Sequence, residues 1–294
     1  MPPREKDVRS FDQLLDEYAR ERGHPDYEPV RLGFGTIDAE LRGISPGQVC
    51  GIAARTAVGK TWMLETVADN FAARRDAGCL ALSLEMPGLE WAERALAIFA
   101  NVPPEQVEEW AKQGELGRHA ADFLEHMRNA VVIEEPVKLL ELGAAIEQAR
   151  QRLSVPLRLV LIDYLGLLGA TGRDAYERAS AIGHGLKEVA KAQKVAIVVA
   201  TQLSRAGGDG SEPVTLPMLR DSGVIEEAVD FLIGAWRPEK ASNLSPADAL
   251  SLRDVLRASI LKNRKGASGR WVDLRFRPDS RRLYEEADPF QAAV

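Results

Sequence analysis

Gly51-Ile-Ala-Ala-Arg-Thr-Ala-Val-Gly-Lys-Thr61 is an apolar strand that runs into a loop of small residues closing on Gly59-Lys60-Thr61. Backbone N–H groups of such a loop, with the positive end of the following helix, surround phosphates; Lys60 neutralises the terminal ones and Thr61 ligates Mg²⁺. Ala54 stands where the usual pattern begins with glycine. The flanking sequence supplies the missing context. Val49 to Ala53 is strand-like, and Trp62 to Arg75 is helix-forming, with apolar Met63, Leu64, Val67, Ala68 and Phe71. Arg55, Thr56, Ala57, Val58, Gly59, Lys60 and Thr61 are therefore the candidate binding residues for a nucleoside triphosphate and Mg²⁺.

Around this stretch, short apolar runs alternate with helical segments, which is the pattern of an α/β fold with a mostly parallel sheet flanked by helices. Strands are expected at Val49 to Ala53, Cys79 to Ser83, Val131 to Glu134, Leu157 to Asp163, Val195 to Ala200 and Phe231 to Trp236. Helices are expected at Trp62 to Arg75, Leu89 to Ala100, Pro104 to Gln113, Leu139 to Arg152 and Ala175 to Gln193. Consecutive strands at Leu256 to Lys262, Trp271 to Arg277 and Arg282 to Glu285 form a C-terminal antiparallel extension. The domain plan is an N-terminal amphipathic helix and linker at 1–30, a main α/β domain at 31–285 and a tail at 286–294.

The chain has 294 residues, is 45% hydrophobic and carries a formal net charge of -6, enough to bury a sizeable core. That charge makes the whole surface a poor nucleic-acid magnet, so strand binding needs a local basic patch. Cys50 and Cys79 lie in apolar runs and read as buried small hydrophobes. The histidines form no metal-binding cluster, which argues against zinc. No apolar run approaches the roughly 20 residues of a bilayer span, and the charged start lacks a signal-peptide core. A cytoplasmic protein with no membrane partner is the expectation.

Ser10 is placed to cap a helix through Arg22, with Phe11, Leu14, Leu15 and Tyr18 on one stripe and Gly23 as the stop. The stripe either packs on its own domain or docks on a neighbouring subunit.

Asp163 ends the strand Arg158-Leu-Val-Leu-Ile-Asp163, and at the sheet edge beside the phosphate loop it is placed to hold Mg²⁺ through water. Glu85 follows the strand Cys79-Leu-Ala-Leu-Ser and is the candidate base that polarises the attacking water; the bland alternative is that it caps the helix after Met86-Pro87. Thr201-Gln202 ends another strand, and Gln202 is a neutral amide suited to sensing the terminal phosphate. The loop Ser204 to Gly223 carries Arg205 and Arg220. Lys262-Asn-Arg-Lys-Gly266 is a basic turn, either a solvated hairpin or a finger in which Lys262 and Arg264 reach a neighbour's phosphates.

Taken together, these residues resemble the C-terminal motor domain of DnaB-type bacterial replicative helicases, which have a RecA-like fold. The markers are Gly35-Thr-Ile-Asp38 with Gly43 to Gly47, Ala53 to Thr61, Ser83-Leu-Glu-Met86, Ile162-Asp-Tyr-Leu165, Thr201-Gln-Leu-Ser-Arg205, Leu219-Arg-Asp-Ser-Gly223 with Ile225, Glu226 and Asp230, and Lys262 to Gly266. The resemblance implies phosphate and metal binding at Lys60 and Thr61, a catalytic carboxylate at Glu85, a second-sphere metal partner at Asp163 and a phosphate sensor at Gln202. It puts Arg94 near the nucleotide base and has Lys262 and Arg264 reach in trans into the adjacent site. It also implies a homo-hexameric ring that grips the backbone of single-stranded DNA through Arg220, Asp221 and Gly223, with Arg205 in the same loop, without base readout. The Ser10 to Arg22 arm then looks like the linker helix that docks on the next subunit.

The family's N-terminal collar domain is expected to be missing, since about thirty residues precede the motor. The expected function is a ring-forming, ATP-dependent helicase or translocase motor in DNA replication. The alternatives are an ATPase subunit that regulates or loads a host helicase, and a RecA-type filament ATPase without unwinding activity. A helicase loader or host replication protein is a further possible partner.

Overall fold

The computed structural model describes residues 9–24, 27–170, 172–173, 175–203 and 210–285, with backbone alone at 175–176 and 220–225. A single twisted sheet organises them. Its strands are β1 (Val49–Ala54), β2 (Gly78–Ser83), β3 (Ala130–Ile133), β4 (Leu157–Asp163), β5 (Ala196–Gln202), β6 (Phe231–Trp236), β7 (Val255–Asn263), β8 (Trp271–Phe276) and β9 (Leu283–Glu285). They lie in the order β3-β2-β4-β5-β1-β6-β7-β8-β9. Every pair from β3 to β6 is parallel, and β6–β7, β7–β8 and β8–β9 are antiparallel. This is the parallel sheet with a C-terminal antiparallel extension that the alternating pattern predicts.

The helices are α1 (Phe11–Arg22), α2 (Gly35–Leu41), α3 (Lys60–Ala72), α4 (Gly88–Ala100), α5 (Pro104–Lys112), α6 (Leu116–His126), α7 (Leu142–Arg152), α8 (Ala175–Gln193), α9 (Gly223–Ala228) and α10 (Pro246–Ser251). β1 is buried along its whole length because helices cover both faces of the sheet. One core layer sets Ile52, Val198 and Ile233 against Met63, Leu64 and Phe71 of α3. The other sets Val49, Val160 and Ile197 against Ile146 of α7 and Leu186 of α8. Burying a side chain of that size is worth about 1.5–3 kcal/mol.

Several helices differ from the expectation: α2, α6 and α9 are absent from it, α7 starts at Leu142 after a 3-10 turn at Leu139–Glu141, and α3 has other bounds. α3 starts at Lys60, inside the phosphate loop's own motif, and ends at Ala72, three residues before Arg75. α6 is absent from the sequence reading; it closes a small satellite core of Leu96, Ala97, Val107 and Ala120. Its inward stripe is Leu116, Ala120 and Phe123 at i, i+4 and i+7, a helical period that the sequence does carry.

α1 has the expected bounds, with Gln13 Oε1 accepting from Ser10 N at 2.9 Å and Gly23 as its C-cap. None of its residues is buried, and Phe11 is 85% exposed. The apolar stripe does not pack on its own domain.

Candidate nucleotide site

At the C-terminal edge of the sheet, register brings four strand ends together: Ala54 of β1 lies opposite Gln202 of β5, and Ser83 of β2 opposite Asp163 of β4. The strand order reverses at β1, and the crevice beyond such a reversal is where open α/β sheets bind ligands. A cavity of about 680 Å³ opens there, lined by Thr56 to Trp62, Glu85 to Pro87, Glu90, Arg94, Gln202, Arg237, Phe276 and Arg281.

Residues 55–59 link β1 to the first turn of α3, whose free N–H groups point toward the cavity end of the helix. Gly59 has φ 124, and a Cβ there would come within 2.7 Å of Phe276 Cζ, so the position accepts glycine alone. Lys60 is 8% exposed, and its Nζ donates to Arg55 O at 3.4 Å. Burial lowers the Lys60 pKa, while the Asp163 and Glu85 carboxylates pull it back up.

Thr61 Oγ1 donates to Asp163 Oδ2 at 2.6 Å. Asp163 Oδ1 is buried and lacks a hydrogen-bond partner. Burial raises the Asp163 pKa, and the nearby Glu85 charge raises it further against the opposing Thr61 bond and Lys60. A buried acidic oxygen left unpaired beside a threonine hydroxyl is a donor set that suits a hard divalent cation and its waters. No group of three or more His, Cys, Asp or Glu among the described residues is arranged to hold a metal.

Glu85 is exposed on the cavity wall, its main chain fixed by Leu84 N and Glu85 N donating to Asp163 O at 2.8 and 3.2 Å. It does not cap the next helix. Pro87 is the N-cap of α4, and Gly88 N donates to Glu134 at the end of β3. Gln202 Nε2 donates to Thr56 Oγ1, which joins the candidate sensor to the phosphate loop.

Arg94 lines the cavity with its guanidinium 5.0 Å from the Trp62 ring centroid, at the end that holds Glu85 and Asp163. Another part of the cavity wall is built by residues that the sequence analysis does not single out. Arg237, directly after β6, lies 4.7 Å from the Phe276 ring centroid. Glu239 holds it through Nε at 3.0 Å, and Arg281 is tied back to Asp254 at 3.2 Å. A cation at the C-terminal end of a strand parallel to β1 was the available signal.

Glu65 was also missed. Both its oxygens are buried without a partner, and burial raises its pKa well above the ordinary value despite Arg94. The folded chain keeps a proton there that the unfolded chain releases above about pH 4.3. The resulting cost to stability grows as pH rises from that value toward the folded pKa. Glu65→Gln is therefore expected to melt about 2–4 °C higher at pH 8, with the gain shrinking toward pH 4.5; a scan of Tm against pH checks it.

Lys262 and Arg264 do not line their own cavity. They stand where β7 ends, opposite the start of β6, since Phe231 pairs with Asn263. Lys262 donates to Glu226 O and to Glu227 O, the latter at 3.3 Å. Arg264 lies 3.6 Å from Asp230 Oδ1, and Asp230 Oδ2 accepts from Val49 N, the first residue of β1. The pair is thus a full strand length from its own phosphate loop, roughly 20 Å for six residues. Arg220 and Asp221 lie in the 3-10 helix Leu216–Ser222, and Gly223 opens α9. Arg205 lies outside the described residues.

The remaining expectations have plain outcomes. Cys50 and Cys79 are buried free thiols, Cys79 pushed up to about 12 by burial. Asp38 of α2 accepts from Leu32, Gly33 and Phe34 N at 2.7, 2.8 and 3.1 Å, a structural tie. No helix among the described residues is long and apolar enough to cross a membrane.

Residues 29–285 match the family model described as the DnaB-like helicase C terminal domain. The chain is 28% identical over 276 residues to the "Replicative DNA helicase DnaB" of Pasteurella multocida (strain Pm70), covering 90% of this chain and 56% of that one. It is 30% identical over 219 residues to the protein of the same name from Treponema pallidum (strain Nichols), covering 73% and 49%. The chain thus spans about half the length of these relatives. Among solved structures, one described as an ATPase domain superposes with a TM-score of 0.80 at 23% identity, covering 95% of this chain and 99% of that one. The RadB recombinase superposes at 0.52 and 14% identity, covering 87% and 99%. The fold is RecA-like.

Proposed function

Because the chain belongs to the DnaB-like helicase C-terminal domain family, we propose that it is the ATP-hydrolysing motor of a ring that translocates on single-stranded DNA and unwinds duplex during replication. One observation carries this reading. The phosphate loop and the cations Lys262 and Arg264 occupy opposite ends of β1, so a complete site needs two protomers, one giving the cradle and the other the finger. Such a head-to-tail contact generates a closed ring when its rotation closes.

Within one site, the amides of residues 55–61 and Lys60 would hold the phosphates, and Thr61 and Asp163 would hold a magnesium ion. Bound magnesium supplies neutralisation of phosphate charge. Glu85 orients the attacking water and takes its proton. Gln202, through its bond to Thr56, links the phosphates to the loop that begins at Leu203. Arg94, stacked over Trp62, and Arg237, stacked over the buried ring of Phe276, line the cavity beside the phosphate loop and would flank the base and ribose. Arg205, Arg220, Asp221 and Gly223 grip the DNA backbone, which lets the motor step along any sequence.

The test is ATP turnover with and without single-stranded DNA, on material whose mass in solution has been measured, alongside a fork-unwinding assay. Stimulation by DNA, a hexameric mass and strand separation are the expected results. Helical filaments without unwinding would sink the ring reading.

The exposed stripe of Phe11, Leu15 and Tyr18 supports docking of α1 on the next protomer. Deleting residues 1–29 is expected to convert a hexamer to smaller species and to cut turnover by at least tenfold at fixed protomer concentration; light scattering checks the mass. An unchanged hexamer would remove the arm from the ring contact.

A further inference from the structure

The turn that carries Arg264 is tied to two other parts of the chain. Toward α2, Asn263 Nδ2 donates to Glu40 O at 3.0 Å, Arg42 donates to Lys265 O, and Lys265 Nζ donates to Gly43 O at 2.6 Å. Lys265 Nζ also reaches Ser45 Oγ at 3.2 Å and lies 5.2 Å from the Phe231 ring centroid. Toward α1, the same Ser45 hydroxyl receives Arg22 Nη1 at 3.3 Å and stands 3.0 Å from Tyr27 Oη.

A hydroxyl oxygen offers two lone pairs and one proton. With Lys265 and Arg22 as donors and Tyr27 as acceptor, Ser45 has nothing left to offer. Arg22 closes α1 and moves with it, while Lys265 is the residue next to Arg264. Arg264 itself is held loosely: its side chain is half exposed, and its guanidinium is 3.6 Å from Asp230 Oδ1 and 3.4 Å from Glu227 O. What fixes the direction in which Arg264 projects is therefore the main chain of the turn, which Arg264 N ties to Asp230 O at 3.1 Å and which the side chains of Asn263, Arg42 and Lys265 pin to the body, Lys265 being the one of these that also reaches Ser45.

We propose that Lys265 is a positioning residue for the arginine finger, and that Ser45, shared between Lys265 and Arg22, couples docking of the N-terminal arm to the finger's reach into the neighbouring site. This rests on the trans-site reading given above. Burial pushes the Lys265 ammonium down to about 8, with Arg22 and Arg42 adding to the effect and Asp230 opposing it. A neutral Lys265 binds two oxygens less firmly than an ammonium, so turnover acquires a pH dependence of its own.

The experiment measures DNA-stimulated turnover of the full chain from pH 6.5 to 9.5 for wild type, Lys265→Met and Lys265→Arg. Lys265→Met is expected to lower kcat about tenfold, with the KM for ATP within about twofold and the oligomer unchanged, because the cradle belongs to the other protomer. Lys265→Arg is expected to recover most of kcat. Wild type is expected to lose turnover as pH climbs past about 8, a step absent from Lys265→Met. Mixing Lys265→Met with Glu85→Gln protomers is expected to restore activity, since the second variant keeps an intact finger turn.

A normal kcat for Lys265→Met overturns the proposal. So does a mixture that gains nothing while the same mixture made with Arg264→Ala does gain, and in that case the trans-site reading stands. If Arg264→Ala turns over normally, the trans-site reading itself fails. Should Lys265→Met not assemble, Ser45→Ala decides: a fall in kcat of about threefold supports the coupling, and an unchanged kcat refutes it.

Discussion

Arg264→Ala is expected to lower ATP turnover at least a thousandfold while changing ATP affinity by less than about threefold, in line with what a trans-acting arginine contributes to phosphoryl transfer. The two effects separate because Arg264 plays no part in its own protomer's cradle. Nor does the change threaten folding. The ion pair with Asp230 is 3.6 Å long with the arginine side chain 52% exposed, a class of contact worth at most about 1 kcal/mol. Asp230 keeps its stronger duties, accepting from Val49 N at 2.8 Å and from Lys187. Loss of activity in a stable, nucleotide-binding protein is therefore the signature, and stopped turnover with intact binding of a fluorescent ATP analogue is the measurement.

A mixing experiment sharpens it. Arg264→Ala protomers carry a sound cradle and Glu85→Gln protomers carry a sound finger, so in a randomly mixed head-to-tail ring about a quarter of the junctions combine both. The mixture is expected to turn over far faster than either parent. Activity no greater than the parents' sum, after verified subunit exchange, would sink the shared-junction reading.

The phosphate loop was legible because its chemistry and its surroundings are encoded within one short stretch: an apolar strand, small loop residues and a helix. The strand ends at Asp163 and Gln202 were legible for a related reason, since parallel strands put their C-terminal residues on one edge whatever their order. Arg237 and Phe276 were not. Their meeting depends on β6 lying beside β1 and on β8 being two antiparallel strands further out, a register no local pattern contains. Arg94, which the resemblance puts near the base, stacks over Trp62 and lines the cavity. Glu65 was invisible because a glutamate in a helix reads as solvent-facing, whereas α3 is buried on almost every side, from Met63 through Asp69. Lys262 and Arg264 were legible as cations, but only the sheet reveals that they stand at the wrong end of β1 to serve their own site.

Glu85→Gln is expected to reduce turnover by about a hundredfold to ten-thousandfold, the range over which a positioned general base acts, while ATP binding is retained or slightly strengthened. The amide matches the carboxylate in shape but cannot take a proton from water. Removing its charge also removes a repulsion toward the phosphates, at the same end of the cavity where Glu85 and Asp163 together pull the Lys60 pKa upward. Structural damage is not a competing explanation. Glu85 is exposed, its backbone bond to Asp163 O survives the change, and the first amide of α4 is satisfied by Glu134. Glu134→Gln is the matching control: it keeps an acceptor for Gly88 N but loses the charge, costs stability of at most about 1 kcal/mol, and is expected to leave turnover within about twofold. The only other carboxylate lining the cavity among the described residues is Glu90, on α4 beyond Pro87. If Glu85→Gln kept turnover within about threefold and Glu90→Gln lost it, the base would have to be moved one turn along that helix. If both kept it, no carboxylate in the cavity wall would be taking the proton, and the hydrolytic role assigned to this end of the site would fail.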